Sequence, residues 1–351
     1  MYEIRFDQAK EDYGLADNEV FLDFLDLSHT PRLQCFYRCS MDCRCSAFQM
    51  FMDTVCQLLS SSRAEVTLQR MPGYTYYDII PWQGTSCHID CCKQNPCLHG
   101  GHCEPPTDAD DPTIRFRCFC REGYGGKRCQ YRISCPGYLD IVTSGANGIY
   151  TMVNLNTREP FQVFCRFDYV GSVLISTTLI QSYALRNVSQ IRPFTQNAPI
   201  NENDVNFQAW RLSKANMDFI ASSATWWIAT CDFEKTGWRV DTDYVQVTLN
   251  NFNILEDNNA VSKCVMVKKM VIRGEHLILA STCSKCEIPV TQTASYPFHV
   301  NTDRASIDSC GGPIPAEIAD CHEDSFGWYQ CVNTNHSCSA SPESTTQIWL
   351  K

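Results

Sequence analysis

Residues 92–129 read CKQNPCLHGGHCEPPTDADDPTIRFRCFCREGYGGKRC, and their six cysteines follow the spacing C-x4-C-x5-C-x14-C-x-C-x8-C. Cytosolic thiols stay reduced, so a framework this dense belongs to a secretory compartment or the cell exterior. A stretch of about 40 residues is too short to bury an adequate core. Each bridge must therefore stabilise it by restricting the unfolded chain, worth ~3 kcal/mol for a loop of about 15 residues. Spacing alone leaves fifteen pairings open.

The residues between the cysteines narrow the choice. Asn95-Pro96 precedes the second cysteine, Gly100-Gly101 turns the chain before the third, and Gly123, Tyr124 and Gly126 occupy the last loop. Throughout, the segment resembles an epidermal-growth-factor-like (EGF-like) module. That resemblance implies the bridges Cys92–Cys103, Cys97–Cys118 and Cys120–Cys129. Calcium-binding members of the family place acidic residues just before the first cysteine. Here the approach is His88-Ile89-Asp90-Cys91, so the module is expected to be calcium-free. Asp108, Asp110 and Asp111, in the long loop, read as solvated charge, with a weak mineral or cation contact as the alternative.

Length and cysteine distribution extend the reading outward. With 351 residues and 23 cysteines in three clusters, the chain is expected to be a multidomain, disulfide-rich α+β protein with boundaries at 1–82, 83–130 and 131–351. A net charge of -10 and a pI near 5.3 argue against nucleic acid, whose phosphates demand a basic face. No segment approaches the ~18 uninterrupted apolar residues of a membrane helix. The opening Met1-Tyr2-Glu3-Ile4-Arg5 has no apolar signal region and the closing TTQIWLK has no anchor tail. A removed signal or an incomplete N-terminus is expected. Asn187-Val188-Ser189 and Asn335-His336-Ser337 are glycan acceptors on the secretory route.

Before the EGF-like run, SHTPRLQCFYRCSMDCRCSAFQMF and CQLLSSS predict one helix and then two strands. Thr30 can cap the helix and Pro31 fits its first position. Cys35 and Cys39 then share one face, with Leu33 and Phe36 expected on the inner side. A helix with cysteines at i and i+4 tied to strands behind it resembles the PAN/apple module over residues 1–82. By that resemblance the bridges are Cys35–Cys56 and Cys39–Cys45, with Cys43 competing for the position of Cys45. The family's outer bridge has no counterpart, because no cysteine precedes Cys35. Cys43, Cys87 and Cys91 stay unassigned, and a missing N-terminal stretch or a bond to another chain is expected. Tyr74, Tyr76 and Tyr77 read as strand packing, with a sugar platform as the alternative.

After it, CPGYLDIVTSGANGIYTM and PFQVFC, from Cys135 to Cys165, resemble the start of a fibrinogen-like domain, and that likeness implies Cys135–Cys165. The family's glycine run and tryptophan are replaced by Tyr169-Val170-Gly171-Ser172-Val173-Leu174, which marks a divergent member. A helix is expected from about Ser213 to Ser222, followed by a strand at Trp226-Trp227. Phe326-Gly327-Trp328-Tyr329-Gln330-Cys331 resembles the aromatic–cysteine wall of the family's ligand pocket, making Trp328 and Tyr329 candidate pocket residues. The family's calcium-binding Asp pair is not recognisable in IDSCGGPIPAEIADC. Cys231, Cys264, Cys283, Cys286, Cys310, Cys321, Cys331 and Cys338, with Cys135 and Cys165, form an even set for a self-contained oxidised domain. Cys283-Ser284-Lys285-Cys286 could be half of a zinc site with Cys231, Cys264 or His276, although an oxidising compartment favours disulfides.

Catalytic signals are weak. Asp308-Ser309-Cys310-Gly311-Gly312 echoes a protease nucleophile loop but has cysteine in place of glycine. Asp241 and Asp243 read as surface charge. No HExxH, P-loop or GxGxxG is present, and no cofactor, metal or enzymatic activity is expected. PAN/apple, EGF-like and divergent fibrinogen-like modules in this order resemble cnidarian extracellular proteins, including those of the coral skeletal organic matrix. The resemblance implies a secreted extracellular-matrix or adhesion protein, in its sharpest form a component of a mineralised skeletal matrix. Its partners would be matrix proteins, glycans or a mineral surface, engaged multivalently. A soluble lectin or receptor ligand, recognising glycans near Trp328 and Tyr329, is the alternative.

Overall fold

The computed structural model of the chain describes residues 10–15, 21–26, 31–63, 67–79, 91–105, 116–143, 146–170, 172–237, 243–272, 275–279, 287–302, 307, 309–310, 325–329 and 335–351. The chain divides into two compact units, Met1–Gln130 and Tyr131–Lys351. Both are rich in strands, and the expected α+β class resolves to a mostly β chain with few, short helices.

In the first unit, β1 (Lys10–Gly14), β2 (Phe21–Asp26), α1 (Pro31–Met41), β3 (Ala47–Phe51), β4 (Val55–Leu59) and β5 (Gln69–Asp78) follow one another. The strands form an antiparallel sheet in the order β1-β5-β3-β4-β2. Helix α1 starts at Pro31, whose missing N–H costs nothing there; Thr30 lies outside the described residues. Cys35 and Cys39 are fully buried one turn apart, and disulfides Cys35–Cys56 and Cys39–Cys45 fasten the helix to the segments behind it. Leu33, expected inside, is 56% exposed. At 100° per residue it sits about 200° around the helix from Cys35, whereas Phe36 packs edge-on against Phe48.

Both faces of this sheet are covered, which erases the simple in–out alternation of a half-buried sheet. Phe48, Met50, Leu58 and Tyr77 meet the helix and its cysteines on one face, with Phe48 stacked on Tyr77 at 4.8 Å. Leu15, Ala47, Leu59 and Tyr76 cluster separately. On the face of that second cluster, buried Gln49 accepts from Leu15 N at 2.9 Å and donates to Gln57 at 2.8 Å, so its amide is satisfied. Tyr76 and Tyr77 are thus packing residues, 1% and 4% exposed. Burial withholds both from a sugar platform, whereas Tyr74 is half-buried beside Phe51, with ring centroids 4.9 Å apart.

Cys43 and Cys91, left unassigned above, bond each other across 48 residues. The bridge is buried beside Phe116 among Cys92, Cys103 and Cys118. Lys127 Nζ adds a hydrogen bond to Ser46 Oγ at 2.9 Å. The cysteine-rich stretch is therefore tied covalently to the first sheet, and neither Cys43 nor Cys91 needs a partner from elsewhere. Cys87 lies outside the described residues.

That stretch carries β6 (His102–Glu104), β7 (Arg117–Phe119) and β8 (Tyr124–Gly125). The second unit continues with β9 (Tyr131–Arg132), β10 (Gly148–Val153), β11 (Pro160–Val170), β12 (Val173–Ala184), β13 (Ala209–Arg211), α2 (Lys214–Ala221), β14 (Trp226–Cys231) and α3 (Phe233–Thr236). Then come β15 (Tyr244–Thr248), β16 (Asn259–Ile272), β17 (Glu275–Leu279), β18 (Glu287–Gln292), β19 (His299–Val300) and β20 (Thr345–Leu350). The sheet runs β19-β18-β16-β15-β14-β20-β12-β11-β10-β9, with β13 on β12 and β17 on β16. Its last strand, β20, lies between β14 and β12, antiparallel to both.

Aromatic residues fill this unit. Trp349 packs edge-on against Phe164 and Phe233, and Trp227 against Phe298. Both buried indoles are satisfied: Trp349 Nε1 donates to Thr230 Oγ1 at 2.8 Å and Trp227 Nε1 to the Phe252 carbonyl at 2.9 Å. Arg211 is also fully buried, donating to the carbonyls of Arg192, Pro193 and Gln196 and lying over the Phe194 ring. Burial lowers its pKa to about 10, so it remains a cation at neutral pH. Arg211→Lys is expected to cost about 2 kcal/mol, because an ammonium cannot span the separated carbonyls. Chemical denaturation reads this directly, and an unchanged midpoint would show that the fork is dispensable.

Candidate functional site

The aromatic wall singled out in the C-terminal unit is held by a backbone crossing. Phe326 and Val300 exchange both backbone hydrogen bonds, at 2.9 and 3.0 Å, and the chain then turns through Gly327 at φ +97°. A Cβ on Gly327 would lie 2.2 Å from the Phe298 carbonyl oxygen, so the close approach requires glycine. The Gly327 carbonyl accepts from buried Tyr183 at 3.1 Å.

From this turn, Trp328 and Tyr329 go to different neighbours. Trp328 packs edge-on against Tyr296 at 5.5 Å, and its buried Nε1 has no hydrogen-bond partner among the described residues. The Tyr329 hydroxyl is 2.7 Å from Thr346 Oγ1. Burial pushes that hydroxyl above its ordinary range, so it stays neutral and cannot serve as a base near pH 7. A buried indole donor left open is unusual.

Beside the wall, the Cys231, His336 and Cys338 ligand atoms lie within 4.8 Å of one another. Cys231 and Cys338 are disulfide-bonded, so they offer no thiolates to a metal. Cys264 is likewise bonded to Cys310, which removes two of the proposed zinc partners and the cysteine of the protease-like loop. Cys283 and Cys286 lie outside the described residues. Asp243, expected on the surface, is 1% exposed, and its Oδ2 accepts from Ser337 N at 2.8 Å. It fixes the segment carrying Cys338; alternation of β-strand residues placed it inward, a signal available in YVQVT that the neighbouring charge obscured. Asp241 lies outside the described residues.

The two glycan acceptors differ. Asn335 is exposed. Asn187 is partly buried and uses Nδ2 to donate to the Gln208 carbonyl at 2.8 Å. Expression in a secretory host is expected to yield a glycan on Asn335 at higher occupancy than on Asn187. Glycopeptide mass spectrometry after enzymatic deglycosylation checks this, and the opposite order would contradict it.

In the first unit, Cys92–Cys103, Cys97–Cys118 and Cys120–Cys129 hold the cysteine-rich stretch, with Cα separations of 5.4, 5.6 and 5.3 Å. Strands β6 and β7 pair with Cys103 opposite Cys118. Glycine is required at the tight turn: Gly100 has φ +72°, and a Cβ on Gly101 would lie 2.8 Å from Cys129 Sγ. His99 stacks on Tyr124 at 4.3 Å, and its Nδ1 lies 2.8 Å from the Cys129 carbonyl, so the proton is on Nδ1 in the neutral ring. Arg128 Nε donates to the Pro96 carbonyl at 2.9 Å. The remaining implied bridge, Cys135–Cys165, joins the start of the second unit to β11.

Residues 92–128 match the family model of the EGF-like domain, and this part of the chain is an EGF-like domain. Such a domain, in a chain with this many disulfides, is typical of extracellular, non-catalytic proteins. Among the described residues no helix is long and apolar enough to cross a membrane.

Proposed function

We propose that this protein is a secreted, non-catalytic extracellular-matrix or adhesion protein whose modules present several weak binding surfaces to matrix proteins, glycans or mineral. The observation that carries this reading is the EGF-like domain bonded to the preceding sheet through Cys43–Cys91. A module held that way acts as a stiff presenter. Surfaces fixed on one chain raise each other's effective concentration. We take the first sheet with its helix as PAN/apple-like and residues 131–351 as a divergent fibrinogen-like domain, in the arrangement of cnidarian skeletal matrix proteins. Fractionation of the source tissue tests the role. The protein should stay in the insoluble extracellular fraction after demineralisation and detergent washing, and its recovery in soluble fluid alone would overturn the matrix reading.

The Trp328 Nε1, unpaired among the described residues, favours a second reading, a soluble lectin. Trp328→Phe keeps the ring and removes the donor. A glycan array on which the native protein binds and Trp328→Phe does not would support the lectin, whereas equal patterns would dismiss it.

A further inference from the structure

We infer that the outer face of β14, β15 and β16 binds a sulfated polysaccharide, with Lys268 and Lys269 as its anchoring cations. The local charge departs from that of the chain. Residues 258–274 carry Lys263, Lys268, Lys269 and Arg273 with no acidic residue, in a protein of net charge -10. A β-bulge then concentrates two of these charges. Gln246 pairs with Lys269 and Val247 with Val267, leaving Lys268 as the extra residue on β16. Consecutive strand residues ordinarily point to opposite faces, and a bulge breaks that rule. Here Val267 and Met270 are buried, whereas Lys268 is exposed and Lys269 half-buried. Two adjacent lysines thus leave the core side together.

Each ammonium has an aromatic seat. Lys268 Nζ lies 5.8 Å from the Trp226 ring centroid and Lys269 Nζ 5.2 Å from that of Tyr244. Cation–π attraction of this kind steadies a lysine without neutralising it. Among the described residues neither Lys268 nor Lys269 has a carboxylate within ion-pair distance. Lys263, over Phe252, is less free, because Asp257 lies 3.9 Å away. Positioned cations without internal counterions form a surface complementary to a polyanion. Outside the cell, where the EGF-like domain and the disulfides point, the abundant polyanions are sulfated polysaccharides. The inference adds a ligand class to the function proposed above and rests on its extracellular placement, not on its matrix role.

Immobilised heparin provides the probe. The native protein should be retained at low salt and released as salt rises. K268A/K269A should bind on the order of tenfold more weakly, with the slope of log K against log salt reduced by about one to two, since each lost contact releases fewer counterions. K268R/K269R, which keeps both charges, should bind like the native protein, and circular dichroism of all three verifies folding. Failure of the native protein to bind, equal elution of K268A/K269A, or equal retention on desulfated heparin would each overturn the inference. So would retention on polyglutamate in place of heparin, which would identify an acidic peptide as the partner. Tissue fractionation is a separate measurement: a protein that remains in the insoluble matrix yet ignores heparin would refute this site and leave the matrix role standing.

Discussion

Replacing Cys231 and Cys338 together by alanine is expected to destabilise the C-terminal unit by about 4 kcal/mol in the loop-entropy account. This bridge joins residues 107 apart, the widest separation among the described disulfides. The Cys264–Cys310 bridge is nested within it and already shortens the effective loop. Both sulfurs are buried, and the bond ties the end of β14 to the segment anchored by Asp243 on Ser337. Removing Cys120–Cys129, which closes only 9 residues, should cost less, about 2–3 kcal/mol. Denaturant midpoints of the two double variants under oxidising conditions test the ranking. A smaller loss for the wide bridge would mean that the reduced chain retains structure linking those segments.

The second large effect is expected at Gly327. Gly327→Ala would force a Cβ to within 2.2 Å of the Phe298 carbonyl oxygen and 3.0 Å of its carbon at a φ of +97°. Backbone cannot swing aside as a long side chain can, and Phe298 itself is wedged between Phe194 and Trp227. Strain and overpacking together should cost about 3 kcal/mol. Because the neighbouring Trp328 depends on this turn, its fluorescence should shift as well. A Gly327→Ala protein with native stability and emission would refute the close approach.

Local pattern made some of this legible and distance concealed the rest. The EGF-like run could be read because its cysteines, glycines and Asn95-Pro96 fall within one short segment. The helix from Pro31 and the strand at Trp226-Trp227 were readable for a similar reason, since capping residues and β-formers act on their own neighbourhood. Cys43–Cys91 was not, because family pattern led toward an outer partner while the true one lay 48 residues on. Leu33, two residues from Cys35, faces outward because neighbours in sequence are not neighbours on a helix surface. The environment of Trp328 depends on Tyr296 and that of Tyr329 on Thr346, contacts that no local spacing encodes. Likewise, the bulge at Lys268 arises from its register with β15, which is invisible in β16 alone.

The central position of β20 has a consequence for synthesis. During vectorial synthesis, β14 and β12 emerge well before the strand that separates them, residues 345–350, exists. The nascent unit must wait with two hydrophobic edges open. Cys231 must also remain reduced, or be held in mixed disulfides, while the 107 residues to Cys338 are made, an interval of roughly 5–20 s at ordinary elongation rates. The sheet is therefore completed only when its middle strand, the last one made, pairs with both edges.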